Sequence, residues 1–183
     1  MITINFDPFP ILETERLILR KPEMKDVPEL FVYRSDREYM RFIPHRFVTT
    51  VEQVEGHINL MHSLLDKNEG INWAITEKGN DTIIGLVGYV RFNNAHHRAE
   101  IGYMLHTPCH GTGIIKEAVE RVVKYGFDEL KLHSIEAIVN HDNIPSKRLL
   151  EKMGFTKDAF FKDYLHHDGK YISANVYSLV KGD

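Results

Sequence analysis

Gly111 and Gly113 stand in the run His110-Gly111-Thr112-Gly113, with Lys116 three residues further on. Glycines spaced this way can hold an oxyanion. They reach φ > 0 at no steric cost and let a ligand approach the backbone closely. If a helix starts directly after Gly113, its first four N–H groups have no internal partners, and the macrodipole adds roughly half a positive charge. The chemistry this suggests is pyrophosphate binding, with Lys116 adding charge in the first turn. A bare Gly-x-Gly fits a ligand-free strand-to-helix turn equally well. It is not a Walker loop, which needs Gly-Lys-Ser/Thr after the first glycine. It is not the dinucleotide fingerprint either, because no third glycine follows at the required spacing.

Other reactive side chains are less organised. The chain has eleven histidines. The pairs His96-His97 and His166-His167 fall at expected turns, and neighbours on a strand point to opposite faces. Neither HExxH nor CxxC occurs, so no metal site is expected. Cys109, the one cysteine, adjoins the glycine loop and is read as a loop residue.

The elements that must position the loop follow from periodicity. The first ten residues, 1–10, carry two prolines and read as an extended arm. Residues 15–20 alternate as a strand. Asp26 before Val27-Pro28 reads as an N-cap ahead of a helix through Leu30, Phe31 and Tyr33. Thr50 and Gln53 form a capping box, and Val51, Val54, Ile58, Met61, Leu64 and Leu65 recur at helical spacing to about Lys67. Strands are expected at 73–76, 82–92 and 99–105 as an antiparallel meander, with turns at Gly79-Asn80-Asp81 and Asn93-Asn94. After Gly113 the period changes, and a helix runs to about Leu130. A strand at 135–139, a helix from Pro145 to Met153 closed by Gly154, and a hairpin turning at Asp168-Gly169 complete the chain. The expected fold is a single α/β (α+β mixed) domain over 1–183. Its central sheet is mixed and mostly antiparallel, of about six or seven strands, flanked by helices.

Composition fits that picture. Of 183 residues, 43% are hydrophobic and 27% charged, with net charge −3. No Lys/Arg block forms a nucleic-acid footprint. No apolar stretch nears the roughly 20 residues of a membrane span. The N-terminal sequence lacks a secretory pattern, and one cysteine suits a reducing compartment, so a cytoplasmic location is expected.

From Ala99 the chain reads AEIGYMLHTPCHGTGIIKEAVERVVKYGF and then HSIEAIVNHDNIPSKRLLEKMGF. This resembles the GNAT acetyltransferase superfamily, and within it the ribosomal-protein N-terminal acetyltransferases of the Rim type. The resemblance rests on the EIGY strand, the glycine loop followed by Glu117-Ala118, and Asn143, Ser146, Leu149, Leu150, Gly154 and Phe155 in order. The opening ETERLILR and the closing Tyr177-Ser178-Leu179 extend it over most of the chain. It implies a GNAT-like fold with acetyl-CoA as co-substrate and no metal. Met104, Leu105 and His106 would bind the pantetheine through their backbone. The amides of Gly111, Thr112, Gly113, Ile114, Ile115 and Lys116 would hold the pyrophosphate, and Asn143 would contact the pantetheine from the other side. Pro108, Thr112 and Ile115 depart from the family's loop, so backbone amides rather than side chains must carry the binding.

Acetyl transfer needs a neutral amine. An α-amino group with pKa near 8 is about a tenth neutral at pH 7, whereas a lysine amine near 10.4 is neutral less than about once in a thousand. An α-amine therefore asks little of a base, and positioning and a carbonyl-polarising amide can supply much of the rate. Glu100, on the strand entering the loop, is the candidate base; its structural alternative is an ion pair with Arg98 or Arg91. Many GNAT enzymes resemble one another in placing a Tyr acid where this chain has Leu150. Ser146, one turn earlier, could donate to sulfur; its alternative is a helix-start role, with Asn143 as the N-cap. Tyr103 is a further candidate, more simply read as packing in the sheet. His166-His167 could border the acceptor cleft. The reading is an N-acetyltransferase acting on a protein or peptide N-terminal α-amine. A small-molecule (polyamine or antibiotic) acetyltransferase and a non-catalytic CoA sensor are the alternatives, and a homodimer is possible.

Overall fold

In a computed structural model, residues 3–43, 47–167 and 169–182 are described. Asp168 of the expected hairpin turn lies outside them, as does the side chain of His167. The elements run β1 (Leu12–Glu13), β2 (Leu17–Arg20), α1 (Val27–Arg34), α2 (Arg37–Met40), α3 (Val51–Asp66), β3 (Ile71–Glu77), β4 (Asn80–Asn93), β5 (Arg98–Leu105), α4 (Ile114–Asp128), β6 (Ser134–Asn140), α5 (Ile144–Lys152), β7 (Thr156–His167) and β8 (Lys170–Val180). They form one eight-stranded sheet in the order β1-β2-β3-β4-β5-β6-β8-β7. All neighbours are antiparallel except β5 and β6.

The fold is the expected mixed α/β type, with one strand more than the expected six or seven. The extra strand is β1, two residues paired to Leu19 and Ile18. No periodicity announces so short a strand. The arm before it is anchored. Ile4 and Phe6 are buried, and the Trp73 indole N–H donates to Pro10 O at 2.7 Å.

Local chemistry sets the helix starts. Thr50 and Gln53 form the expected capping box on α3, which buries Val54, Ile58, Met61 and Leu65 on one face. Asp26 stands at the expected N-cap position of α1, but its carboxylate makes no bond to that helix. It closes the short 3-10 turn before that helix by accepting the Glu23 N–H, and it pairs with the Arg20 guanidinium at 2.7 Å.

Two apolar clusters lie on opposite faces of the sheet. One includes Ala118, Val119 and Val122 of α4 with Ile101 and Leu105 of β5. The other joins Leu30 of α1 and Val54, Ile58 and Met61 of α3 to Ala74, Ile83 and Leu86. Each buried Val, Leu, Ile or Met among them contributes about 1.5–3 kcal/mol, so both helical layers are firmly held to the sheet. No helix among the described residues is long and apolar enough to cross a membrane.

Where the two layers meet the middle of the sheet, the ladder opens. β5 and β6 pair only at Arg98↔Ser134, Ala99↔Ile135 and Glu100↔Glu136. β6 stays paired with β8 as far as Asn140, and β5 stays paired with β4 as far as Leu105. Beyond Glu100 the two strands therefore part, each held by its other neighbour.

Candidate active site

The parting strands border a cleft of about 380 Å³. Glu100, Tyr103, Met104, Asn143 and Ser146 line it together with Arg34 and His57 from the α1 and α3 layer. The candidate base, the candidate sulfur donor and the start of α5 thus share one space, although 46 positions separate Glu100 from Ser146 (146 − 100).

The glycine loop lies between the end of β5 and α4. Gly111 and Gly113 take φ of 78° and 82°, the left-handed region that glycine enters freely. Gly113 is the N-cap of α4 and has no side chain to bond the helix amides; the first helical bond runs from Glu117 N–H to Gly113 O. The amides of Ile114, Ile115 and Lys116 precede that bond and make no bond within the helix. Lys116 is less available than expected, since its ammonium pairs with Glu120 at 2.8 Å. Ile114 is buried, so only its backbone can serve a ligand.

Side chains that the loop spacing did not reveal brace this turn. His110 Nε2 donates to Leu105 O at 2.8 Å, since a carbonyl can only accept. Thr112 Oγ1 donates to Cys109 O at 2.6 Å. The Arg16 guanidinium donates to Thr112 O at 3.1 Å and pairs with Glu117 at 2.6 Å. Glu117 also accepts from Thr14 Oγ1 and Arg16 N–H. Burial would push its carboxyl up, but these donors outweigh burial and hold it below the ordinary range. Thr14 and Arg16 of the opening ETERL segment thus clamp the first turn of α4. They stand 103 and 101 positions from Glu117 in the chain, so local spacing gave no hint of this.

The strand end narrows one expectation. His106 N–H donates to Ile84 O at 2.8 Å, and His106 O accepts from Cys109 N–H. Its backbone is therefore committed, and its ring stacks on Tyr33 with centroids 3.8 Å apart. In an antiparallel ladder alternate residues bond the same neighbour. Met104, opposite Leu86, thus faces β4 as His106 does, while Tyr103 and Leu105 direct their backbone towards the gap. Leu105 O is taken by His110, which leaves its N–H. Of the three residues expected to bind through their backbone, Met104 and His106 are turned away because β4 already uses them.

Glu100 is mostly buried, and its carboxylate accepts from the Arg91 guanidinium at 2.7 Å, the ion pair given as its structural alternative. Burial pushes its pKa above the ordinary carboxylate range. Arg91 opposes that push, and Glu136, its partner across the parallel register, adds to it. A carboxylate raised towards neutrality is suited to proton transfer.

Asn143 does cap α5, its Oδ1 accepting the Ser146 N–H at 3.1 Å. Ser146 Oγ lies 2.7 Å from the Tyr103 hydroxyl. Tyr103, expected as sheet packing and as a further candidate donor, does both: it packs against the core beneath the sheet and bridges β5 to α5. Burial, the larger effect, against the Ser146 hydrogen bond leaves its phenol pushed up to about 12, so it is neutral and able to donate. Leu150 is fully buried and has no part in the cleft. His166 packs on Tyr171 and does not line the cleft; the hairpin instead borders an adjoining hollow through Leu165 and Ile172. Among the described residues no three metal-ligating side chains come together.

A family model described as "Acetyltransferase (GNAT) domain" matches residues 16–156. The chain belongs to the GNAT acetyltransferase family. It is 38% identical to an uncharacterised N-acetyltransferase of Bacillus subtilis, YoaA, over 94% of this chain and 98% of that protein. It is 24% identical to the [ribosomal protein uS5]-alanine N-acetyltransferase of Escherichia coli, over 94% and 91% of the two chains. Among solved structures it resembles RimL, the ribosomal L7/L12 α-N-protein acetyltransferase in complex with CoA, with a TM-score of 0.85 at 18% identity over 93% and 98%. The activity of this GNAT member is N-acetyl transfer; which amine it acetylates is a separate question.

Proposed function

We propose that the whole chain, 1–183, acts as one cytoplasmic acetyltransferase domain that moves acetyl from acetyl-CoA directly to a protein or peptide N-terminal α-amine. The observation that carries this reading is the gap between β5 and β6. It opens at Glu100, where β5 and β6 part, and Tyr103, Asn143 and Ser146 line it. The pantetheine would lie along β5 against the backbone of Tyr103 and the Leu105 N–H, with Asn143 opposite. The pyrophosphate would lie on the amides from Gly111 to Lys116. That acetyl-CoA is the donor is supported by the CoA bound in the RimL structure. The α-amine acceptor is supported by the resemblance to the uS5-alanine enzyme.

In this arrangement a β5 amide polarises the thioester carbonyl, and Glu100 takes the proton of the attacking amine, directly or through water. The Tyr103–Ser146 pair supports the departing sulfur. A phenol near pKa 12 is a weaker acid than a thiol near 8.5. The pair therefore stabilises the thiolate by hydrogen bonding and does not hand over the proton early. No covalent acyl-enzyme is needed, so Cys109 plays no chemical part.

Thermal shift with acetyl-CoA, CoA and ATP, followed by thiol release on a panel of N-terminal peptides and polyamines, tests this. Stabilisation by the two CoA species and turnover of peptides is the expected result. Turnover of polyamines alone would overturn the α-amine acceptor, and stabilisation by ATP alone would overturn the cofactor reading.

A further inference from the structure

On the α1–α2 wall two buried polar atoms have no partner among the described residues, Arg34 Nε and the Tyr39 hydroxyl. Arg34, the last residue of α1, is only 4% exposed, yet it lines the cleft that holds Glu100 and Ser146. Its NH1 donates to His57 Nε2 at 3.2 Å. A guanidinium can only donate, so His57 accepts there as the neutral ring with its proton on Nδ1. No ion pair among the described residues engages Arg34, whereas Arg20 and Arg16 are each paired with carboxylates. Burial pulls the Arg34 pKa down, with no carboxylate opposing it.

Burying a cation without a counter-ion is unfavourable, and a site that retains one offers it to a ligand. Phe42, Ile43, Leu60 and Leu64 line the same cleft as Arg34 and are apolar, and beside such walls a charge-assisted hydrogen bond is strengthened. The guanidinium fork matches a carboxylate in two parallel bonds. With only one cationic fork in an apolar setting, a carboxylate is better served than a doubly charged phosphate.

We propose that Arg34, braced by His57, binds a carboxylate carried by the acceptor, so that the enzyme selects amines bearing a nearby carboxylate. The inference rests on the acetyl-transfer reading and deepens it to a class of substrate. The carboxylate has two possible sources, an acidic side chain close to a peptide N-terminus or the α-carboxylate of a free amino acid.

Two pairs of acceptors separate these sources: Ser-Asp-Ala-Ala amide against Ser-Asn-Ala-Ala amide, and serine against serinamide. The wild-type enzyme should favour the carboxylate member of one pair by about tenfold or more in kcat/KM, mainly through KM, as expected for a desolvated charged hydrogen bond. In Arg34→Gln that ratio should fall towards one, and in Arg34→Lys, which keeps the charge without the fork, it should be intermediate. Wild-type ratios near one in both pairs, or a ratio that survives Arg34→Gln, would overturn the proposal. The wild-type ratios need no variant, so a misfolded variant does not spare it. If acetyl-CoA binds but no amine releases thiol, the transfer reading fails instead. Calorimetry of the two N-acetylated peptides on the enzyme–CoA complex then still decides whether the carboxylate is bound more tightly.

Discussion

Helix α5 begins at the cleft and α4 follows the glycine loop at the end of β5, and their first turns are finished in different ways. At α5 the carboxamide of Asn143 accepts the Ser146 N–H and Pro145 occupies a position where no donor is needed. At α4 the cap is Gly113 in the left-handed region, and no side chain answers the first amides. One helix start is satisfied from within and turns a hydroxyl to Tyr103. The other leaves its first amides without a side-chain partner, where the proposed pyrophosphate would lie. The contrast separates two tasks, so changes at α4 should act on acetyl-CoA binding and changes at α5 on the chemical step.

The largest effect is expected from Gly113→Asp, which tolerates the left-handed backbone and adds a carboxylate at the start of α4, beside the Arg16 guanidinium and the amides proposed to hold the pyrophosphate. The kcat/KM for acetyl-CoA should fall by roughly a hundredfold or more, through KM, as like charges meet at a helix start. Unchanged acetyl-CoA affinity by calorimetry would abolish the contrast. Next comes Glu100→Gln on β5, the strand that leads into the glycine loop. A fall in kcat of roughly a hundredfold near pH 6 is expected for loss of a general base. It should shrink as pH rises and the α-amine deprotonates itself. Because burial raises the Glu100 pKa, the acid limb of the wild-type profile should lie above the ordinary carboxylate range and disappear in the variant. Ser146→Ala should lower kcat by roughly tenfold with little change in KM for acetyl-CoA; a change confined to KM would move Ser146 to the binding side. Asn143→Ala makes the start of α5 resemble that of α4. About 1 kcal/mol of stability should be lost in denaturant unfolding. The smallest effect is Arg91→Ala, on a largely exposed partner. Arg91 opposes the burial of Glu100, so its removal should move the acid limb up by a few tenths of a pH unit.

Much of this contrast is written locally. The capping box of α3, the change of period after Gly113 and the Asn143-Pro145 pair each lie within one turn of what they determine, and the strands and helices follow from such signals. The gap is not local. It arises because β5 is held by β4 and β6 by β8, a matter of partners rather than of residue type. The Tyr103–Ser146 bridge spans 43 positions and the Arg16–Glu117 clamp 101. Arg34 looks like any charge near the end of a helix, and only the packing of α1 against α3 shows that it is buried. Backbone alternation likewise decides that Leu105, and not Met104 or His106, faces the gap. That parity is set by the ladder to β4.

The parting of β5 from β6 leaves an unpaired strand edge in the interior of the sheet. Exposed edges are templates for stray pairing, and natural proteins blunt them. Here the pantetheine amides would act as the missing strand. Cofactor concentration then becomes a folding variable, since a ligand held at about a hundred times its Kd adds roughly 2.7 kcal/mol of stability. Hydrogen exchange at Tyr103 and Leu105 should slow on adding CoA. In a cell short of acetyl-CoA the protein would carry an unblunted edge, so its lifetime as well as its turnover would follow the supply of acetyl groups.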